Sequence, residues 1–157
     1  MYTVHTLSKT DAETIAAWTY APPYHIYNMD GSTALLLAPA ARYFGIYAGD
    51  TLIAFCCFGG EGQVPGFDYS ASPALDIGVG MDPNLIGRGR GRATLAAILA
   101  FGAAQERPGY WRATIAAFNQ RSQQMFRNAG FVEVAQFVST GVDPRSFVVV
   151  VKPGTGD

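Results

Sequence analysis

Cysteine, histidine and lysine are all scarce in this chain of 157 residues. The two cysteines, Cys56 and Cys57, are adjacent, which excludes a disulfide framework and provides no metal-ligand spacing. The two histidines, His5 and His25, are too scattered to form a cluster, so no metal is expected. Long hydrophobic runs are also missing. The longest, Ala93–Ala104, is too short to span a bilayer and reads as a buried helix. The opening MYTVHTLSKTDAE carries no apolar secretory core. Together these absences point to a reducing cytoplasm and no membrane partner. A net charge of −1 excludes the basic surface of a general nucleic-acid binder. Two lysines beside abundant Ala and Arg is the composition of a GC-rich bacterial genome.

What is present is the material of one globular domain. The 49% hydrophobic and 15% charged content excludes disorder. A chain of this length buries roughly two thirds of its unfolded surface. Residues 1–152 read as one domain and 153–157 as a frayed tail. Charge is segregated along it. Met1 to Gly87 holds eight acids and two bases, whereas Arg88 to Arg127 holds seven arginines and one acid, Glu106. One stretch is thus suited to an anion and the other to a cation.

Periodicity and turn chemistry predict the elements. Tyr2–Leu7 reads as a strand. The capping-box pattern Thr10-Asp-Ala-Glu13 predicts a helix over Asp11–Trp18. An aromatic, proline-broken segment, Trp18–Tyr27, follows, then a helical turn over Ser32–Leu37. Arg42–Ala48 and Thr51–Phe58 read as a hairpin around Gly49-Asp50. Gly59–Pro73 is a loop long enough to be functional. Ala74–Met81 is a strand with Leu75, Ile77, Val79 and Met81 on one face and Asp76, Gly78 and Gly80 on the other. A helix over Gly91–Glu106 buries Leu95, Ile98, Leu99 and Gly102. The strand Tyr110–Phe118 leads to a helix over Gln120–Ala129, capped by Asn119 and stopped by Gly130. Phe131–Ser139 and Ser146–Lys152 close the chain as strands.

The segment Ile86-Gly-Arg-Gly-Arg-Gly-Arg92 lies between a strand and a helix, where backbone N–H groups and the helix dipole can cradle a phosphate. It is not a Walker loop, because no Lys-Ser/Thr pair follows the glycines. It is a poor dinucleotide fingerprint, because Arg92 stands at the third glycine position and Asp82–Ile86 separate it from the strand. It resembles instead the pyrophosphate-binding motif Q/R-x-x-G-x-G/A of the GCN5-related N-acetyltransferases, read here as Ile86-Gly-Arg-Gly89-Arg-Gly91 with Ile86 departing from the pattern. A second block, Asn119-Gln-Arg-Ser122-Gln-Gln-Met125-Phe126-Arg-Asn-Ala-Gly130-Phe131, is similar to the family's N-x-x-A-x-x-L-Y-x-x-x-G-F at the same spacing.

The resemblance implies an α/β (α+β) fold with a mixed, mostly antiparallel sheet of about seven strands, splayed in the middle and flanked by about four helices. It implies acetyl-CoA as co-substrate, with the pantetheine beside Val79, Gly80 and Met81 and the pyrophosphate on Gly87, Arg88, Gly89, Arg90, Gly91 and Arg92. Asn119 would bond the pantetheine and Phe126 would sit near the sulfur. The implied activity is N-acetyl transfer to a small-molecule or peptide amine by direct attack in a ternary complex. The candidate bases are Asp76 first and Glu61 second, since the amine must lose a proton. Both acids also have a plainer reading, as a hydrogen-bonded strand acid and a solvated loop acid. Trp18, Tyr20, Tyr24 and Tyr27 are candidates for amine binding, by cation–π attraction, or else pack a proline-rich corner. Phe126 lacks the hydroxyl that relatives place there to protonate the leaving thiolate. That departure keeps open an acyl-CoA-binding domain without turnover. Relatives often dimerise, so a homodimer is a further expectation.

Overall fold

The computed structural model describes residues 1–154, so most of the tail expected over 153–157 lies outside the described residues. The strands are β1 (Tyr2–Thr6), β2 (Tyr43–Ala48), β3 (Thr51–Phe58), β4 (Leu75–Met81), β5 (Tyr110–Ala116), β6 (Val132–Val138) and β7 (Ser146–Pro153). The α-helices are α1 (Lys9–Ala17), α2 (Thr33–Leu37), α3 (Gly91–Glu106) and α4 (Gln120–Asn128). One seven-stranded sheet runs in the order β1-β2-β3-β4-β5-β7-β6. All its pairings are antiparallel except β4 with β5, which is parallel. This is the mixed, mostly antiparallel sheet with four helices that the resemblance implies.

Alternation along the strands divides the residues between two faces. Ala54, Cys56, Phe58, Ile77, Ala113 and Ile115 pack with Leu95 and Ile98 of α3 and Phe126 of α4 in the larger core. Gly102 is a close-approach position there, because a Cβ would stand 2.5 Å from the Trp111 ring. On the other face, Phe55 packs with Ala12 and Ile15 of α1 and Leu36 of α2. Asp76, Gly78 and Gly80 share this second face, as the alternation in β4 predicts.

Several boundaries differ from expectation, most by a single residue. α1 starts at Lys9, and its N-cap is Ser8, whose Oγ accepts the Asp11 N–H at 3.1 Å. Ser8-x-x-Asp11 outcompetes the Thr10 pattern by placing the cap earlier, and Thr10 instead offers its carbonyl to Thr14 inside the helix. β2 begins only at Tyr43, because Arg42 takes a left-handed backbone at φ +58°. β5 ends at Ala116, two residues early, because Asn119 N–H turns back to the Ala116 carbonyl. The Gly59–Pro73 loop holds 3-10 turns at Gly60–Gly62 and Tyr69–Ala71. Asn119 caps α4 as expected, its Oδ1 accepting from Ser122 N–H at 3.1 Å, and Gly130 follows at φ +98°.

Candidate active site

The parallel pairing of β4 with β5 is short. Leu75 pairs with Trp111, Asp76 with Arg112 and Ile77 with Ala113, and there it stops. Beyond it, Gly78–Met81 stay hydrogen-bonded to β3 and Thr114–Ala116 to β7. The sheet therefore opens as a V whose narrow end is at Ile77 and whose wide end is at Met81. Backbone groups of Val79 and Met81 face the gap, whereas those of Gly80 and Asp82 turn to β3. Gly80 matters to this shape, since the Phe55 ring lies across it and a Cβ would meet that ring at 2.2 Å.

Past the wide end, a 3-10 turn at Pro83–Leu85, begun by Asp82, leads to the glycine segment. Gly87 and Gly89 both take left-handed backbones, at φ +79° and +75°, with open space where a side chain would be. These two positions need glycine for conformation. Gly91 needs it for space, since a Cβ would lie 2.8 Å from the Met125 Sδ of α4. Helix α3 makes its first ladder bond at Thr94 N–H to the Arg90 carbonyl, so the preceding N–H groups lie free at the positive end of the helix dipole. Arg88 and Arg92 are exposed, while Arg90 reaches the Tyr2 hydroxyl at 3.3 Å. A diphosphate fits these donors and this charge, and an extended arm fits the V.

The two candidate acids differ sharply in environment. Asp76 is 2% exposed, and its two carboxylate oxygens accept from Arg112 Nε at 2.6 Å and Nη2 at 2.8 Å. Gln63 Nε2 adds a third donor at 2.9 Å. Three hydrogen bonds engage both oxygens, which leaves little room for a substrate amine beside them. The same pair raises the Arg112 pKa, so one of the seven arginines of the basic stretch is neutralised inside the fold. Glu61 instead lies exposed in the Gly60–Gly62 turn, with the Tyr43 hydroxyl at 3.5 Å. Burial, then the neighbouring Cys57 and Glu61, push the Tyr43 pKa upward. Burial likewise pushes the Cys57 thiol up to about 12, so Cys57 is a protonated side chain and not a nucleophile at neutral pH.

The aromatic segment crosses the wide end of the V. The Tyr20 hydroxyl donates to the Met81 carbonyl at 2.6 Å, on the β4 side. Tyr27 accepts from Asn119 Nδ2 at 3.3 Å, and both Tyr24 and Tyr27 pack on Phe118, on the β5 side. Burial raises the Tyr20 and Tyr27 pKa values, which keeps both phenols protonated. Trp18, the C-cap of α1, leans on Phe55 at 6.2 Å. Phe126 is 3% exposed and meets Phe131 edge-on at 5.0 Å, so its ring packs within the larger core. Its apolar ring is what that packing selects.

Four residues of the site escaped the sequence reading: Arg112, Gln63, Tyr43 and Tyr69. Tyr69 bonds Thr114 Oγ1 at 2.8 Å and Val64 N–H at 2.9 Å, and the Arg112 guanidinium lies 4.9 Å from its ring centre. One signal for them existed. Asp76 and Arg112 are lone charges in otherwise uncharged strands, and a lone buried charge needs a partner. Among the described residues, no three His, Cys, Asp or Glu stand together as a metal group, and no helix is long and apolar enough to cross a membrane.

The sequence profile of the acetyltransferase (GNAT) family matches residues 7–131. No curated protein matches the chain. Among solved structures, a chimera of the spermidine N-acetyltransferase SpeG from Vibrio cholerae with hSSAT superposes with a TM-score of 0.75 at 16% identity, covering 97% of this chain and 95% of its own. A GNAT-family acetyltransferase from Bacillus anthracis gives 0.72 at 14% identity, covering 97% and 94%. The yncA protein of Salmonella typhimurium, solved with acetyl-CoA, gives 0.69 at 18% identity, covering 97% and 93%.

Proposed function

This chain belongs to the acetyltransferase (GNAT) family, and we propose that it passes the acetyl group of acetyl-CoA directly to a primary amine while both are bound. The observation that carries the reading is the V between β4 and β5 ending beside a left-handed glycine turn at the start of α3. Val79–Met81 would align the pantetheine through backbone groups. The N–H groups of Gly87–Arg92, with the arginine side chains, would take the pyrophosphate. When bound, acetyl-CoA supplies an activated thioester carbonyl. An N–H near Met81 is the donor placed to stabilise charge on its oxygen.

On the acceptor side, Glu61 is the carboxylate we assign to take the amine proton. It is exposed, and its hydroxyl neighbour Tyr43 stays protonated and can donate to it. Asp76, first by position in the strand, already has both oxygens engaged. A cationic amine is the acceptor class we propose. Trp18, Tyr20, Tyr24 and Tyr27 offer aromatic faces and Glu61 a negative charge. One similar fold is a spermidine N-acetyltransferase, and spermidine is such an amine. The absent hydroxyl at Phe126 supports a second reading, a domain that binds acyl-CoA without turnover.

The test has two stages. Thermal shift against acetyl-CoA, CoA and NAD should give stabilisation that grows with either CoA species and not with NAD. Thiol release is then followed with a panel of primary amines, spermidine among them. Release that depends on the amine supports transfer. Binding without release supports the second reading, and no shift with either CoA species defeats both.

A further inference from the structure

The two carboxylates that compete for the role of base are connected to each other. Glu61 sits in the one-turn 3-10 segment Gly60–Gly62. On the leading side of that turn, Gly59 N–H donates to the Asp76 backbone carbonyl at 2.8 Å. On the trailing side, Gln63 Nε2 donates to Asp76 Oδ2 at 2.9 Å. Between them, Gly62 lies so close to β4 that a Cβ would stand 3.3 Å from the Ile77 carbonyl carbon and 3.5 Å from the Asp76 Cβ. A single residue therefore fastens both flanks of the turn, once by main chain and once by side chain.

The fastening is itself anchored. Arg112 holds both Asp76 oxygens from β5, donates through Nη1 to the Ser72 carbonyl at 3.0 Å and lies over the Tyr69 ring. The loop from Gly59 to Pro73 is thus tied near its start by Asp76 and near its end by Arg112. Its one exposed acid near the narrow end of the V is Glu61. Asp68, the other acid of the loop, caps the turn at Tyr69–Ala71 through Ser70.

We propose that Asp76 is a positioning residue, which with Gln63 and Arg112 clamps the Gly60–Gly62 turn so that Glu61 is presented to the acceptor amine. The inference rests on the assignment of Glu61 as proton acceptor. A carboxylate on an untethered glycine-rich turn would sample many positions, and loss of approach geometry lowers the chemical step steeply. The clamp accounts for a charged residue pair at a place where an apolar pair would fold as well.

The variant that isolates the clamp is Gln63→Met, which keeps side-chain length, removes the donor and leaves the Asp76–Arg112 pair intact. Gln63→Lys restores a donor. Two readouts are needed. Amide exchange over residues 59–64 should quicken in Gln63→Met and return toward the parent rate in Gln63→Lys, with exchange of β4 unchanged. Steady-state turnover with the amine found in the panel should show kcat lowered about tenfold in Gln63→Met, with KM for acetyl-CoA unchanged. In a Glu61→Gln background the same change should add nothing, because the clamp acts through Glu61. Unchanged exchange in Gln63→Met overturns the clamp. Quickened exchange with full kcat overturns its positioning role. If Glu61→Gln alone leaves kcat intact, the assignment of the base fails, and the positioning role fails with it even where the exchange result holds.

Discussion

Asp76 and Arg112 face each other across the parallel contact of β4 with β5, joined side-on by two hydrogen bonds of 2.6 and 2.8 Å. Both are within a few per cent of full burial. Removing one partner leaves the other charged and unpaired in the interior. Asp76→Ala or Arg112→Ala should each cost about 3–5 kcal/mol of folding stability, whereas replacing both by apolar residues should cost much less. Urea unfolding of the two single variants and the double variant checks this. Single variants as stable as the parent would mean that water reaches the pair.

The glycine segment gives two distinguishable defects. Gly89→Val forces a β-branched residue into a left-handed backbone, and Gly91→Val drives a side chain into Met125. Both should weaken acetyl-CoA binding by at least about tenfold in calorimetric titration, and Gly91→Val should also lower Tm by loosening α3 against α4. Undiminished affinity in Gly89→Val would remove this turn from the cofactor site.

Glu61→Gln should lower kcat by about a hundredfold or more, with acetyl-CoA affinity retained. Asp76→Asn should lose stability as well as activity. The contrast between the variants, read by turnover and melting together, separates a proton acceptor from a buried anchor.

The Cys57 thiol carries a pH signature. Its pKa rises from an ordinary 9.0 to about 12 on folding. Between those values the unfolded chain has lost this proton and the native chain keeps it, so unfolding releases a proton and rising pH favours it. The contribution of Cys57 is complete below about pH 9 and is lost as the pH climbs toward 12. Urea midpoints should fall from pH 8 to pH 10, and less so in Cys57→Ala. In the native protein, thiol reagents at neutral pH should leave both buried cysteines unmodified.

Much of this architecture is legible in the residues, for identifiable reasons. Alternation in Leu75–Met81 gives both the strand and its two faces. Asn119 and Gly130 bracket α4, and the glycines at 87, 89 and 91 mark a turn that only glycine suits. These are local signals, each contained in a few neighbouring residues. The acids behaved otherwise. Asp76 looks available in sequence because its partner lies thirty-six positions away on another strand. Phe126 looks like a site residue because its motif position is one, and its edge-on packing against Phe131 is a tertiary contact that the motif does not show. Ser8 rather than Thr10 caps α1 because two good caps lay two residues apart and packing of Ala12 and Ile15 decided between them.

The short contact between β4 and β5 divides the sheet into two plates, one of four strands and one of three. Within the sheet the plates meet only along the line from Leu75 to Ile77, and the gap between them widens from Asp76 toward Met81. The contact at the closed end is electrostatic, while at the open end the phenols of Tyr20 and Tyr27 each reach one plate. Polar contacts thus mark both ends of an opening whose floor is apolar, since one core under α3 and α4 runs beneath both plates.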